Sequence, residues 1–190
     1  MKSPLAFLPL ASGFLVLVLS LAVGVLTVTK GGSIPSSSQN VMTKAAEVTA
    51  TLTLSPSSGE YEVSPGSSFP VGVIVDSAGK SVDGIDTIIN WDPKMARVED
   101  GRVVASNLFE QYMVNSVDNV KGQIKLGALT FTAKPVTGVV GTFRVTPLTE
   151  GSANFSFQFT PGATTDSNVA EHGTAKDILG RVENARFSFK

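Results

Sequence analysis

Four aspartates, Asp76, Asp83, Asp86 and Asp92, crowd one stretch of the chain. Carboxylates grouped in this way supply the oxygen ligands that a calcium ion takes. Their spacing lacks the EF-hand pattern, so charge solvated on loops is the expected reading and calcium has no supporting motif. Glu60 with Glu62, or Glu99 with Asp100, offers the two carboxylates a glycosidase would use as acid and base. Nothing around either pair marks it as buried or mutually tuned. The single histidine, His172, stands in the polar run Glu171-His172-Gly173 and is expected to be exposed and inert. Asp166-Ser167-Asn168 reads as a turn by composition. No Gly-x-Ser-x-Gly elbow occurs. There is no cysteine, which removes thiolate metal sites and any disulfide framework. No catalytic residue, cofactor or metal is therefore expected, and the chain is not read as an enzyme. Trp91, the one tryptophan, could stack on a sugar ring, but packing at a strand end before Asp92-Pro93 is its expected role. A planar sugar-binding strip needs several aromatics together, and only Tyr61 and Tyr112 remain, far apart in sequence.

The elements that must position these residues are strands. Val48 to Leu54 alternates and stops at Ser55-Pro56. Phe69, Val71, Val73 and Val75 fall on one face of the next strand, and Ile85, Thr87, Ile89 and Trp91 on one face of another. Ile124, Leu126 and Ala128 keep the same period, as do Phe143 with Val145, Phe155 with Phe157 and Phe159, and Phe187 with Phe189. A period of two with one apolar face is the mark of half-buried antiparallel sheet. Turn residues separate the runs at Ser57-Ser58-Gly59, Ser64-Pro65-Gly66, Ser77-Ala78-Gly79 and Glu150-Gly151. Such spacing argues for a β-sandwich whose core is phenylalanine and β-branched residues. Only Val104 to Tyr112 could form a short helix.

In front of this pattern, Ser3 to Thr29 carries no charge. With Pro9 opening a continuous helix, Leu10 to Thr29 is long enough to span the roughly 30 Å hydrocarbon layer of a bilayer. Residues 1–30 are thus either a single-pass anchor or a secretory signal segment that is cleaved, with small residues at Ser20-Leu21-Ala22 and Ala22-Val23-Gly24. Residues 31–46, rich in glycine and serine, form a flexible spacer. Residues 47–190 are one domain, large enough for a real core. With 15 Lys+Arg against 16 Asp+Glu and no basic stripe, nucleic acid is not an expected partner. The expected location is the cell membrane with the domain outside, or secretion if the segment is cleaved.

The domain resembles a bacterial cohesin. The likeness is carried by Ser55-Pro56-Ser57-Ser58-Gly59, by Val63 to Phe69 leading into Val71 to Val75, and most strongly by Val82-Asp83-Gly84-Ile85-Asp86-Thr87-Ile88-Ile89-Asn90-Trp91-Asp92-Pro93. Gly141 to Val145, Gly151 to Phe157, Asp177 to Gly180 and Val182 to Phe189 continue it in order. The resemblance implies an all-β, nine-stranded antiparallel sandwich with jelly-roll connections. It implies docking of a dockerin, a small helical calcium module, on one flat sheet face. Asp86 aligns with an acidic position many cohesins use there, and Gly84 stands where some place an asparagine. The expected partner-binding residues are Asp86, Gly84, Ile88 and Asn90. The same sandwich serves carbohydrate-binding modules, so fold does not fix function. Direct polysaccharide binding and a passive envelope role stay open beside protein docking within an extracellular, polysaccharide-degrading assembly.

Overall fold

The computed structural model describes residues 49–190. The uncharged segment, the spacer and the first residues of the domain lie outside the described residues. Among the described residues no helix is long and apolar enough to cross a membrane.

Eleven strands make the domain: β1 (Ala50–Ser55), β2 (Ser58–Tyr61), β3 (Phe69–Asn90), β4 (Ala96–Val98), β5 (Val104–Ala105), β6 (Gln111–Asp118), β7 (Gln123–Pro147), β8 (Gly151–Phe157), β9 (Asn168–Glu171), β10 (Leu179–Glu183) and β11 (Ala185–Phe189). Two of them, β3 with 22 residues and β7 with 25, are far longer than an ordinary strand. Their early and late halves do different work. The first half of β3 pairs with β1 and with the end of β7, next to β10 on one flank and β4 and β5 on the other. The second half of β3 pairs with the start of β7, which β6 extends, while β9 and β8 take its other edge. From β8 the ladder continues to β11 and β2.

Alternation drives the packing between these layers. Leu52, Leu54, Val71, Val73, Val75, Phe143, Phe155 and Phe187 are fully buried, and their strand neighbours face out. Burying each such side chain is worth about 1.5–3 kcal/mol. Phenylalanines bridge the layers: Phe69 meets Phe187 edge-on at 4.9 Å, and Phe155 lies 6.0 Å from Phe143. Trp91 is 6% exposed, stacks on Phe155 at 5.5 Å and donates its Nε1–H to the Ala96 carbonyl at 2.9 Å. Its role is structural, as the sequence indicated.

Three expectations are corrected. The strands number eleven, not nine, because β2, β4 and β5 hold only 4, 3 and 2 residues, too few to show a period. The sheet is not wholly antiparallel: β1 runs parallel to β10, and β2 parallel to β11. Val104 to Tyr112 is not a helix. It runs from β5 through a loop into β6, and the one helical turn nearby is a 3-10 turn at Glu99–Gly101. Side-chain amides replace apolar periodicity in this region. Asn115 accepts from the Val103 N–H at 2.8 Å and donates to its carbonyl at 2.7 Å, and Asn119 does the same for Val98 at 2.8 Å each.

Candidate binding face

Strand β3 breaks its alternation twice. Register slips between Asp76 and Ser81, where Ala78 and Gly79 take positive φ of 55° and 80°, and again between Val82 and Gly84. A glycine adopts such a φ freely, which fits Gly79 to the turn. The second slip brings Gly84 hard against β7. A Cβ there would stand 2.5 Å from the Ala128 carbonyl oxygen. After it, Ile85, Thr87 and Ile89 point into the core, and Asp86 is exposed with Ile88 and Asn90 half-buried.

Across the sheet, Asp86 faces Asn168 of β9 on one side and Gly127 of β7 on the other, and Gly127 faces Val114 of β6. The absence of a side chain at Gly127 is what lets the carboxylate lie flat: a Cβ there would meet Asp86 Oδ1 at 2.6 Å. Among the described residues Asp86 has no hydrogen-bond or ion-pair partner. Met113, Val114 and Leu129 expose apolar surface beside it, at 60%, 42% and 39%, and Phe131, 75% exposed, follows further along β7. Met113 and Leu129 wall a shallow hollow of about 120 Å³ over Gly84 and Asp86.

The four residues expected at the face thus lie along one strand, with different surroundings. Asp86 is central and free. Gly84 is buried beneath Leu129. Ile88 is tied through its backbone to Ser167, whose Oγ accepts its N–H at 3.0 Å. Asn90 is held by Gln123, which donates to its Oδ1 at 2.9 Å, and it borders a separate groove with Asp92, Met95, Ser152, Asn154 and Ser156.

The other candidate groups scatter. Asp76 accepts from Thr137 at 3.1 Å, Asp92 caps the Lys94 N–H at 2.9 Å and Asp83 pairs with His172 at 2.6 Å. Among the described residues no cluster of three acids or histidines could hold a metal ion. Glu60 pairs with Lys190 at 2.7 Å and Glu99 with Arg144 at 3.3 Å. His172 is exposed as expected, yet its contact with Asp83 ties β9 to β3. Asp166 and Ser167, read with Asn168 as a turn, sit in a bend and are buried at 5% and 0% exposure, while Asn168 already belongs to strand β9. The side chains of Asp166 and Ser167 fold inward and staple the loop. Asp166 Oδ2 accepts the Thr160 N–H at 2.6 Å.

No family model matches the chain, and no curated protein matches it. Solved structures do. The third cohesin of ScaC from Acetivibrio cellulolyticus, solved with a ScaB dockerin, superposes with a TM-score of 0.58 at 13% identity, over 74% of this chain and 98% of that one. A type I cohesin from Clostridium thermocellum, solved as a cohesin–dockerin complex, gives 0.55 at 16% identity, over 75% and 99%. A non-cellulosomal cohesin from the archaeon Archaeoglobus fulgidus gives 0.53 at 17% identity, over 75% and 91%. The domain has the cohesin fold. Within this cohesin-like domain, the apolar corner at Met113, Val114, Leu129 and Phe131 escaped the sequence reading. Strand β6 is largely exposed and its bulge between Tyr112 and Val114 breaks the period that would have announced it. Leu129 and Phe131, exposed two residues apart on β7 and following the run Ile124, Leu126, Ala128 on the other face, were the one available signal.

Proposed function

We propose that this domain is a non-catalytic docking module that receives a dockerin-like helical protein on the β9–β3–β7–β6 face. One observation carries the reading: a free carboxylate, Asp86, lies on a glycine floor beside the exposed apolar side chains of Met113, Val114 and Leu129. A rigid sheet with an apolar corner and a central polar group gives a partner helix area to bury and a register to obey. The cohesin fold of structures solved with dockerins supports the same direction. The polysaccharide reading loses its aromatic, because Trp91 is buried under Phe155.

Calorimetry of the full chain against a panel of purified dockerins tests the proposal. Asp86→Ala and Leu129→Ser are each expected to weaken binding by about thirtyfold or more with thermal unfolding unchanged. Unchanged affinity in both variants overturns the face. Retardation in polysaccharide gels, with no dockerin bound, would favour the glycan instead.

We further propose that residues 1–30 anchor the module and display it outside the cell. The length of the uncharged run, Ser3 to Thr29, supports this reading. Intact-mass measurement on the membrane fraction tests it. A mature amino terminus near Val23 would make the domain a secreted module.

A further inference from the structure

At the β9 edge of the proposed face lies a hollow of about 200 Å³. Its walls include Asp86, Ile88, Val114, Lys125, Thr165 and Asp166. Asp166 is 5% exposed, and its Oδ1 is buried with no hydrogen-bond partner. A buried carboxylate oxygen left unpaired costs free energy that a charged donor recovers. Such an atom in a folded domain calls for a reason. The second carboxylate on the hollow, Asp86, is also unpaired among the described residues. The apolar side chains of Ile88 and Val114 line the same hollow.

We propose that this hollow takes a basic side chain, arginine or lysine, from the docked protein. The inference rests on the docking reading above and adds a specificity position to it. The methylene stem lies along Ile88 and Val114 while the charged head reaches the two carboxylates. A divalent cation is the poorer fit. Calcium takes six to eight oxygens, and the described residues hold no cluster of three acidic or histidine ligands. Oδ1 is buried, so the incoming head must shift the exposed Thr164-Thr165 lip to reach it. Lys125, on the facing wall and without an ion-pair partner among the described residues, opposes the incoming charge.

The test uses the full chain, methyl-labelled at isoleucine and valine, titrated with the capped tripeptide Gly-Arg-Gly, its citrulline counterpart and calcium chloride. The arginine peptide is expected to move the Ile88 and Val114 methyl resonances, and the uncharged citrulline peptide to leave them in place. Asp166→Asn keeps the shape and the acceptor for Thr160 and is expected to weaken the arginine peptide about tenfold or more. Asp86→Asn, at an exposed position that the fold does not need, is expected to act the same way. Lys125→Ala is expected to strengthen it by roughly two- to fivefold. Equal response to both peptides, shifts confined to other residues, or calcium moving the same methyls at lower concentration overturns the proposal. If dockerin binding is lost in Leu129→Ser but kept in Asp86→Asn and Asp166→Asn, the docking face stands and this inference fails.

Discussion

At the scale of single residues, two glycines shape the face more than any charged group does. Gly127 gives Asp86 room to lie flat, and Gly84 gives β3 and β7 room to approach. Gly84→Ala drives a Cβ to 2.5 Å from a backbone oxygen that cannot swing away, so overpacking of about 1–3 kcal/mol is expected in urea denaturation. A wild-type midpoint in that variant would show that the strands can separate without cost. Gly127→Ala meets a movable carboxylate instead. It should leave stability nearly unchanged while weakening partner binding. The sequence carried Asp86 to the surface by simple parity, and buried Trp91 through the Asp92-Pro93 stop behind it. It could not reveal Gly84 as a close contact, because the slip at Asp83 that forces the contact depends on how β7 sits.

At the scale of elements, strands with several alternating apolar residues were legible and the rest were not. Strands β1, β3, β8 and β11 announce themselves through Leu52, Val73, Phe155 and Phe187. The stretch from Ala96 to Asp118 does not, because Asn115 and Asn119 hold it by pairing with backbone groups. Asn115→Ala and Asn119→Ala are each expected to cost roughly 1–3 kcal/mol, since both strand out-of-reach N–H and carbonyl groups. Thermal denaturation reads this directly, and a loss no larger than that of an exposed serine variant would argue against the bracing role. A second brace responds to acid. Glu110 accepts from the Phe131 N–H at 3.3 Å and from Lys134 at 3.2 Å. Hydrogen bonding from Thr130 and Lys134 holds its pKa below the usual 4.5. A lowered folded pKa means the brace is complete above pH 4.5 and is lost as pH falls through the lower folded value. Amide exchange at Phe131, corrected for intrinsic rate, should therefore quicken below that pH in the wild type and show no such step in Glu110→Gln.

At the scale of the whole molecule, one aromatic cluster joins the layers. Phe155 touches Trp91, Phe143 and Phe187 together. Phe155→Ala is expected to remove about 3–5 kcal/mol, a large share of the 5–15 kcal/mol that holds a typical domain. Calorimetry should show the whole transition shifting down as one peak, and a new separate peak would mean the layers unfold independently. The layered β architecture was visible in the order of turns and apolar runs. Its parallel pairs were not, since β1 meets β10 and β2 meets β11 only after the intervening chain has folded.

Strands β3 and β7 each pass through both layers, and the face is made from the second half of β3 and the start of β7. Amides at Asp86 and Gly127 can exchange only when the entire domain does, so their protection should equal the global unfolding free energy and fall in step with it across denaturant. A face that cannot breathe separately meets its partner already ordered, with little entropy left to lose on contact.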